Sequence, residues 1–214
     1  MTPPRLCLVT SRLRLQLEEA DLVRRIEWLA GAGIDLVQVR ERDLPDRALT
    51  ALVRRVLGAV RGTAARVVVN DRTDIALACG AAGVHLREDS PPCARVRAIV
   101  PPGFLIGRSV HTVPGARAAA AADYLLFGTV FPSKGKPTGH PVAGITALRD
   151  VCAATPRPVL AIGGLDPARA PEAAAAGAAG IAAVDALLSV TSAAEARVRV
   201  DDFRRAFDTR SPLV

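Results

Sequence analysis

Lys134 and Lys136 are the only lysines in a chain with 26 arginines, and they sit two apart in the stretch Phe131-Pro-Ser-Lys134-Gly-Lys136-Pro. Lysine presents a compact, mobile point charge, whereas arginine presents a planar fork. The composition, rich in Ala and Arg, turns most interchangeable lysines into arginine. A lysine pair that survives at the end of an apolar run therefore points to an anion best met by a mobile ammonium. Chance placement on a solvated loop is the competing reading of the spacing alone.

Other strand-like runs end in polar residues in the same manner. Gln38, Arg40 and Arg42 alternate with Val37 and Val39, and a period of two puts them on one side. Polar groups turned inward are unfavourable unless paired. The trio thus reads either as a site for a pyrophosphate and a heterocycle or as an internal ion pair, for instance Arg40 with Asp71. Asn70-Asp71-Arg72 ends the third run and Asp89 follows the fourth. Two carboxylates from adjacent strand ends suit Mg²⁺, which takes one or two carboxylates plus phosphate oxygens. Asp74 and Glu88 are alternative ligands, and each Asp alone could cap a helix.

Ser109 and His111 share a face at the end of the fifth run. A histidine there can donate a hydrogen bond or act as acid and base near neutral pH. His85, inside a short apolar run, reads as a core histidine, and His140 carries no legible signal. The seventh run gives Ala161-Ile-Gly163-Gly164, followed by Asp166-Pro167 opening a helix, and the eighth gives Ala183-Val184-Asp185. Paired glycines and a helix start after the last two strands form the usual backbone cradle for phosphate in a barrel.

These residues need a frame that brings many strand ends together. Eight β-like runs are expected, at residues 6–10, 36–40, 66–70, 83–86, 104–110, 124–130, 158–163 and 180–187. Amphipathic stretches such as 20–32, 46–61, 112–122, 145–154 and 167–176 lie between them, and a last helix covers about 193–207. Strand then helix, repeated about every 25 residues, is the pattern of βαβ units and a parallel sheet. Eight such units predict an α/β fold, a single (β/α)8 TIM barrel; an open doubly wound sheet is the alternative. No linker divides residues 1–214, so one domain is expected, with 208–214 as a frayed tail.

Composition narrows the partners. Half the residues are hydrophobic but only 3% are aromatic, so Val, Leu, Ile and Ala must build the core. No run is long enough to span a membrane, and no secretory leader is evident; a cytoplasmic protein with no membrane partner is expected. The four cysteines have no CxxC spacing, which argues against zinc or a redox motif. The net charge of +7 is spread along apparent helices without aromatic stacking groups. That favours small phosphorylated ligands over nucleic acid. A homo-oligomer is possible.

Gln38-Val-Arg40-Glu-Arg42, Asn70-Asp71-Arg-Thr-Asp-Ile-Ala, Gly83-Val-His-Leu with Asp89, Gly107-Arg-Ser109-Val-His111-Thr, the segment from Ala122 through Ser133 to Lys136, and Ala161-Ile-Gly-Gly164 occur in one order along the chain. Together they resemble the thiamine phosphate synthase and thiazole tautomerase family over essentially the whole length. The resemblance implies a barrel that joins a hydroxymethylpyrimidine pyrophosphate to a thiazole phosphate and releases pyrophosphate with Mg²⁺. It implies that Gln38, Arg40, Arg42 and Asn70 face the pyrimidine pyrophosphate, that Asp71 and Asp89 hold the metal, that Ser109 and Lys136 touch the leaving group, and that Ser133 binds substrate. Gly163, Gly164, Val184 and Asp185 would cradle the thiazole phosphate.

Departures from the family pattern are specific. Arg42 stands where lysine is usual, Arg87-Glu88 replaces Gly-Gln, Gly135 replaces threonine, and Asp185 replaces serine. A carboxylate at a phosphate cradle repels its ligand unless it faces water or pairs with an arginine. In the tautomerase branch, which resembles this chain at Arg40-Glu-Arg42 and Ile106 to His111, the matching histidine moves protons. The acidic pair Asp71 and Asp89 favours the synthase. A phosphate-binding barrel without catalysis is the reading from another class.

Overall fold

The chain is described here from a computed structural model covering residues 5–133, 139 and 141–208. All eight expected strands form: β1 (Leu6–Val9), β2 (Leu36–Val39), β3 (Arg66–Asn70), β4 (Gly83–Leu86), β5 (Leu105–Val110), β6 (Tyr124–Phe127), β7 (Val159–Ile162) and β8 (Gly180–Ala183). Each pairs in parallel with its neighbour in sequence, and β8 pairs with β1 through Leu6–Ile181 and Leu8–Ala183. The barrel is closed, which excludes the open sheet.

A short 3-10 turn, η1 (Arg12–Leu15), precedes α1 (Glu19–Ala32). The other helices are α2 (Asp46–Ala59), α3 (Thr73–Cys79), α4 (Cys93–Arg97), α5 (Val113–Ala118), α6 (Gly144–Ala153), α7 (Ala170–Ala175), α8 (Asp185–Leu188) and α9 (Ala193–Asp208). Helical spacing explains the outer ring. In α2, Leu49, Leu52, Val53 and Val56 recur at intervals of three and four and are all buried, giving one apolar stripe against the sheet. Each such side chain, fully buried, contributes on the order of 1.5–3 kcal/mol.

Two apolar shells result from the period of two. Leu8, Val37, Val39, Val69, Ile106 and Leu125 face the helices. Cys7, Val9, Leu36, Val68, Tyr124, Leu126, Leu160 and Ala182 fill the lumen. The same alternation turns Gln38, Asn70, His85 and Ser109 toward the lumen above that plug.

Several strands are shorter than their apolar runs. β2 stops at Val39 because the Arg40 N–H donates to the Thr10 hydroxyl, 2.9 Å away, instead of continuing the ladder. β6 ends at Phe127 rather than at residue 130. β8 ends at Ala183, and residues 185–187, expected as strand, belong to the helical turn α8, with the Leu188 N–H on the Val184 carbonyl at 2.8 Å. The helix expected from residue 167 begins at Ala170, because the Asp166 carboxylate first accepts the Arg169 N–H and closes a turn. Residues 209–214, most of the tail expected to fray, lie outside the described residues.

Candidate active site

The C-terminal strand ends open into a cleft of about 1300 Å³. That exceeds the roughly 300–1,000 Å³ usual for one small ligand, so two ring systems fit. Gln38, Arg40, Arg42, Asn70, Asp89, Ser109, His111, Ser133, Gly163, Gly164, Val184 and Asp185 all line it. Lys134, Gly135, Lys136 and His140 lie outside the described residues.

The floor is polar and partly unsatisfied. Gln38 is 3% exposed, and its Nε2 donates to Asn70 Oδ1 at 2.9 Å. That bond orients the amide and leaves Oε1 buried and without a hydrogen-bond partner among the described residues. An unpaired buried acceptor is unfavourable by about 1–3 kcal/mol, which a ligand N–H or O–H would relieve. Arg40 and Arg42 continue that wall. Burial, then the charge of Arg42, pulls the Arg40 guanidinium below its ordinary value; Arg14 and Arg87 act in the same direction, and Glu41 opposes them. Neither Arg40 nor Arg42 has a side-chain ion pair among the described residues, so the alternative of an Arg40–Asp71 bridge is not formed. Two neighbouring guanidiniums without a carboxylate partner among the described residues suit a polyanion.

The two candidate metal carboxylates converge on one guanidinium. Arg87 Nε is 2.9 Å from Asp89 Oδ1 and 3.5 Å from Asp71 Oδ2, and Arg87 Nη2 is 2.6 Å from Asp89 Oδ2. Asp71 also accepts the Ser90 hydroxyl. Among the described residues no cluster of three or more His, Cys, Asp or Glu could hold an ion. Two carboxylates that already share a cation, beside a wall suited to phosphate, nevertheless fit Mg²⁺ with substrate oxygens completing the shell. The alternative ligand Asp74 is committed elsewhere, to Arg72 at 2.9 and 2.7 Å. Glu88 faces His111 instead, with Oε2 3.8 Å from Nε2.

His111 is exposed at the rim, and its Nδ1 donates to the Gly128 carbonyl. His85 is 1% exposed, in accord with a core histidine, yet it also reaches the cleft floor. Its Nδ1 is 3.0 Å from the Tyr124 hydroxyl and its Nε2 is 2.9 Å from Ser109 Oγ. Burial, then the charges of Arg40 and Arg108, lowers its pKa from 6.5 to about 3.

Across the cleft, Gly163 (φ +105°) and Gly164 (φ +61°) form the turn after β7. A Cβ on Gly164 would stand 2.3 Å from the Pro132 carbonyl, and one on Gly163 would stand 2.5 Å from Thr129 Cγ2. Only glycine leaves room for the β6 loop to pass. Arg169 donates to the Gly164 carbonyl at 2.7 Å and lies 5.1 Å from the Phe131 ring centroid. Asp185, the first residue of α8, pairs with Arg14 from η1. Its Oδ1 is buried without a hydrogen-bond partner among the described residues.

Arg14 and Arg169 also line the cleft, and the only sequence signal for either is that it follows a strand end by several residues. η1 is held by Glu41, 4% exposed, whose two oxygens accept the Arg12 N–H at 3.2 and 3.0 Å.

Residues 6–187 match the family model described as thiamine monophosphate synthase. The chain is 43% identical over 172 residues to a protein of Geobacter sulfurreducens named putative thiamine-phosphate synthase, covering 79% of this chain and 80% of that one. It is 39% identical over 183 residues to the thiamine-phosphate synthase of Anaeromyxobacter dehalogenans, covering 85% and 82%. A solved thiamine phosphate pyrophosphorylase from Pyrococcus furiosus superposes with a TM-score of 0.81 at 30% identity, over 95% of both chains.

Proposed function

The chain belongs to the thiamine monophosphate synthase family, and from that premise we propose how its cleft joins 4-amino-2-methyl-5-hydroxymethylpyrimidine pyrophosphate to 4-methyl-5-(2-phosphoethyl)thiazole. The enzyme is a transferase of thiamine biosynthesis that forms thiamine phosphate. The observation that carries the mechanistic reading is the presence of two anion-suited walls in one cleft. Gln38, Asn70, Arg40 and Arg42 form one; Gly163, Gly164 and the start of α8 form the other.

On the first wall, Gln38 Oε1 accepts a pyrimidine N–H, and Arg40, Arg42, Ser109 and Lys136 bind the pyrophosphate. The bond between the pyrimidine methylene carbon and the pyrophosphate oxygen breaks, with its electron pair leaving on pyrophosphate. The thiazole nitrogen then supplies the pair for the new C–N bond. No protein nucleophile or proton transfer is required, so these residues act by charge and position. Asp71 and Asp89 would hold Mg²⁺, which supplies charge neutralisation on the leaving group. On the second wall, the backbone around Gly163, Gly164 and Val184 receives the thiazole phosphate, near the Arg14–Asp185 pair. Ser133, which lines the cleft, is assigned to substrate binding.

The proposal sets this chemistry in the cytoplasm, on small phosphorylated substrates, with homo-oligomer assembly open. Free thiols at Cys7, Cys79, Cys93 and Cys152 are in keeping with a reducing compartment. Among the described residues no helix is long and apolar enough to cross a membrane.

Purified protein, both substrates and Mg²⁺, scored for thiamine phosphate with and without EDTA, test the reading. Product that disappears with EDTA is expected. Product that survives EDTA removes the metal from the mechanism. Folded protein that forms no product but isomerises a thiazole phosphate carboxylate, and loses that activity in His111→Ala, would replace the synthase reading with the tautomerase.

A further inference from the structure

We propose that Tyr124 and His85 are positioning residues that aim the Ser109 hydroxyl proton into the cleft, toward an oxygen of the bound pyrophosphate. The inference rests on the reading that Ser109 meets that group.

The geometry begins in the strand register. Tyr124 of β6 is level with Gly107 of β5, and Gly107 is level with His85 of β4. All three positions face the lumen, so Tyr124 and His85 flank a residue that has no side chain. A Cβ on Gly107 would lie 2.2 Å from Tyr124 Cζ and 2.5 Å from His85 Nδ1. Glycine there lets the phenol pass over the strand and reach the imidazole at 3.0 Å, with the ring centroids 5.6 Å apart.

Donor and acceptor roles follow from what each group lacks. Tyr124 is 1% exposed, and among the described residues its hydroxyl has one hydrogen-bond partner, His85 Nδ1. A buried O–H must donate to an acceptor, so Nδ1 carries the lone pair. Neutral imidazole then carries its proton on Nε2, which faces Ser109 Oγ at 2.9 Å. Ser109 accepts that bond, so its own proton has to go elsewhere. The open direction is the cleft, which Ser109 lines.

The opposite tautomer would let Tyr124 accept from Nδ1, leaving its buried O–H without an acceptor, and would draw the Ser109 proton back to Nε2. A doubly protonated ring would likewise leave the buried Tyr124 O–H without an acceptor. The chain Tyr124, His85, Ser109 therefore turns a hydroxyl that could donate either way into one that donates toward substrate. Preorganised donors of this kind need no reorganisation when charge builds on the leaving group.

The test combines ¹⁵N NMR of His85 in the whole protein with calorimetry of inorganic pyrophosphate in the presence of Mg²⁺. Wild type is expected to show the neutral Nε2–H tautomer. Tyr124→Phe and Ser109→Ala are each expected to weaken pyrophosphate binding, by about tenfold for loss of one well-aligned donor to an anion. The double variant is expected to bind like Ser109→Ala alone, because Tyr124 acts through Ser109. His85→Gln, whose amide can still donate to Ser109, should bind more tightly than His85→Leu. An Nδ1–H tautomer in wild type overturns the proposal without any variant, as do additive effects in the double variant. Unchanged pyrophosphate binding in Ser109→Ala, with the Nε2–H tautomer intact, instead removes the Ser109–pyrophosphate contact and the proposal with it.

Discussion

Arg87 holds Asp89 through two parallel contacts, Nε to Oδ1 at 2.9 Å and Nη2 to Oδ2 at 2.6 Å, directly across from Asp71. Arg87 Nε thus lies within reach of both carboxylates, 2.9 Å from Asp89 and 3.5 Å from Asp71. The departure of Arg87-Glu88 from the family pattern therefore places a competing charge at the proposed metal site. On the proposed reading, Mg²⁺ would have to displace Arg87 from this pair.

Replacing Arg87 should accordingly tighten metal binding. Asp89 is largely exposed and the pair is open to solvent, with side-chain exposures of 39% and 71%, so the gain is modest. Exposed ion pairs are worth about 0.2–1 kcal/mol, which corresponds to a gain of up to roughly fivefold in Arg87→Met. Titration of Mn²⁺ by electron paramagnetic resonance reads it without turnover. Equal affinities in the two proteins would mean that Arg87 does not compete.

Asp185 and Arg14 make a matched prediction with opposite signs. Asp185→Ser removes a carboxylate from the proposed phosphate wall and frees Arg14, so thiazole phosphate should bind several-fold more tightly. Arg14→Ala leaves Asp185 uncompensated and should weaken binding by a comparable factor, kept small by the partial exposure of both side chains. Calorimetry with thiazole phosphate reads both. No change in either variant would place the carboxylate out of the ligand's reach.

How much of this was legible beforehand depended on how local the cause was. Strand order and barrel closure follow from eight apolar runs spaced by amphipathic helices, and the period of two puts Gln38 on the side opposite Val37 and Val39, as the structure has it. The motifs carried Gly163 and Gly164 because their requirement is written in their type. Residues 185–187 read as strand because they follow the eighth run with no turn signal between, although Asp-Ala-Leu-Leu has no β-branched residue and forms a helical turn. Arg14 and His85 were under-read for a different reason. Their partners, Asp185 and Tyr124, are 171 and 39 residues away, and no spacing along the chain encodes such a meeting.

Acid should destabilise the protein through His85. Its folded pKa of about 3 lies below the ordinary 6.5, so the unfolded chain binds one more proton between those values. The contribution is complete above pH 6.5 and is lost as pH falls toward 3. At pH 4.5 the loss is roughly 2–3 kcal/mol. Urea unfolding of wild type and His85→Gln at pH 7 and 4.5 isolates this share. The same pH slope in both proteins would show that His85 is not held neutral.

The lysine pair yields a contrast between neighbours. If Lys136 stabilises charge on the leaving pyrophosphate, Lys136→Ala should lower kcat by about 10²–10³, the scale of losing one transition-state donor. Lys134→Ala should stay within a few-fold of wild type. Both residues are outside the described structure, so steady-state kinetics of the two variants decide the matter, and equal small effects would reduce the pair to solvated charge.

Gly164 offers the sharpest link between backbone and site. Alanine there would adopt φ near +61° and drive a Cβ to 2.3 Å from the Pro132 carbonyl and 2.9 Å from Phe131 Cβ. The left-handed conformation alone costs about 1–2 kcal/mol for a residue with a Cβ, and the clash falls on backbone that cannot rotate away. Because Pro132 leads directly to Ser133 and the lysine loop, relief of the clash must move the site. Gly164→Ala should therefore lower Tm by roughly 3–8 °C, at about 2–4 °C per kcal/mol for a chain of this size, and raise KM for thiazole phosphate. Gly31 in α1 is the control: it has open space around its Cβ position and lies within the helix. Gly31→Ala should raise Tm slightly, since alanine favours a helix by up to about 1 kcal/mol over glycine, and leave KM unchanged. A Gly164→Ala protein with wild-type Tm and KM would show that the β6 loop yields freely and that its path over the glycine pair does not shape the site.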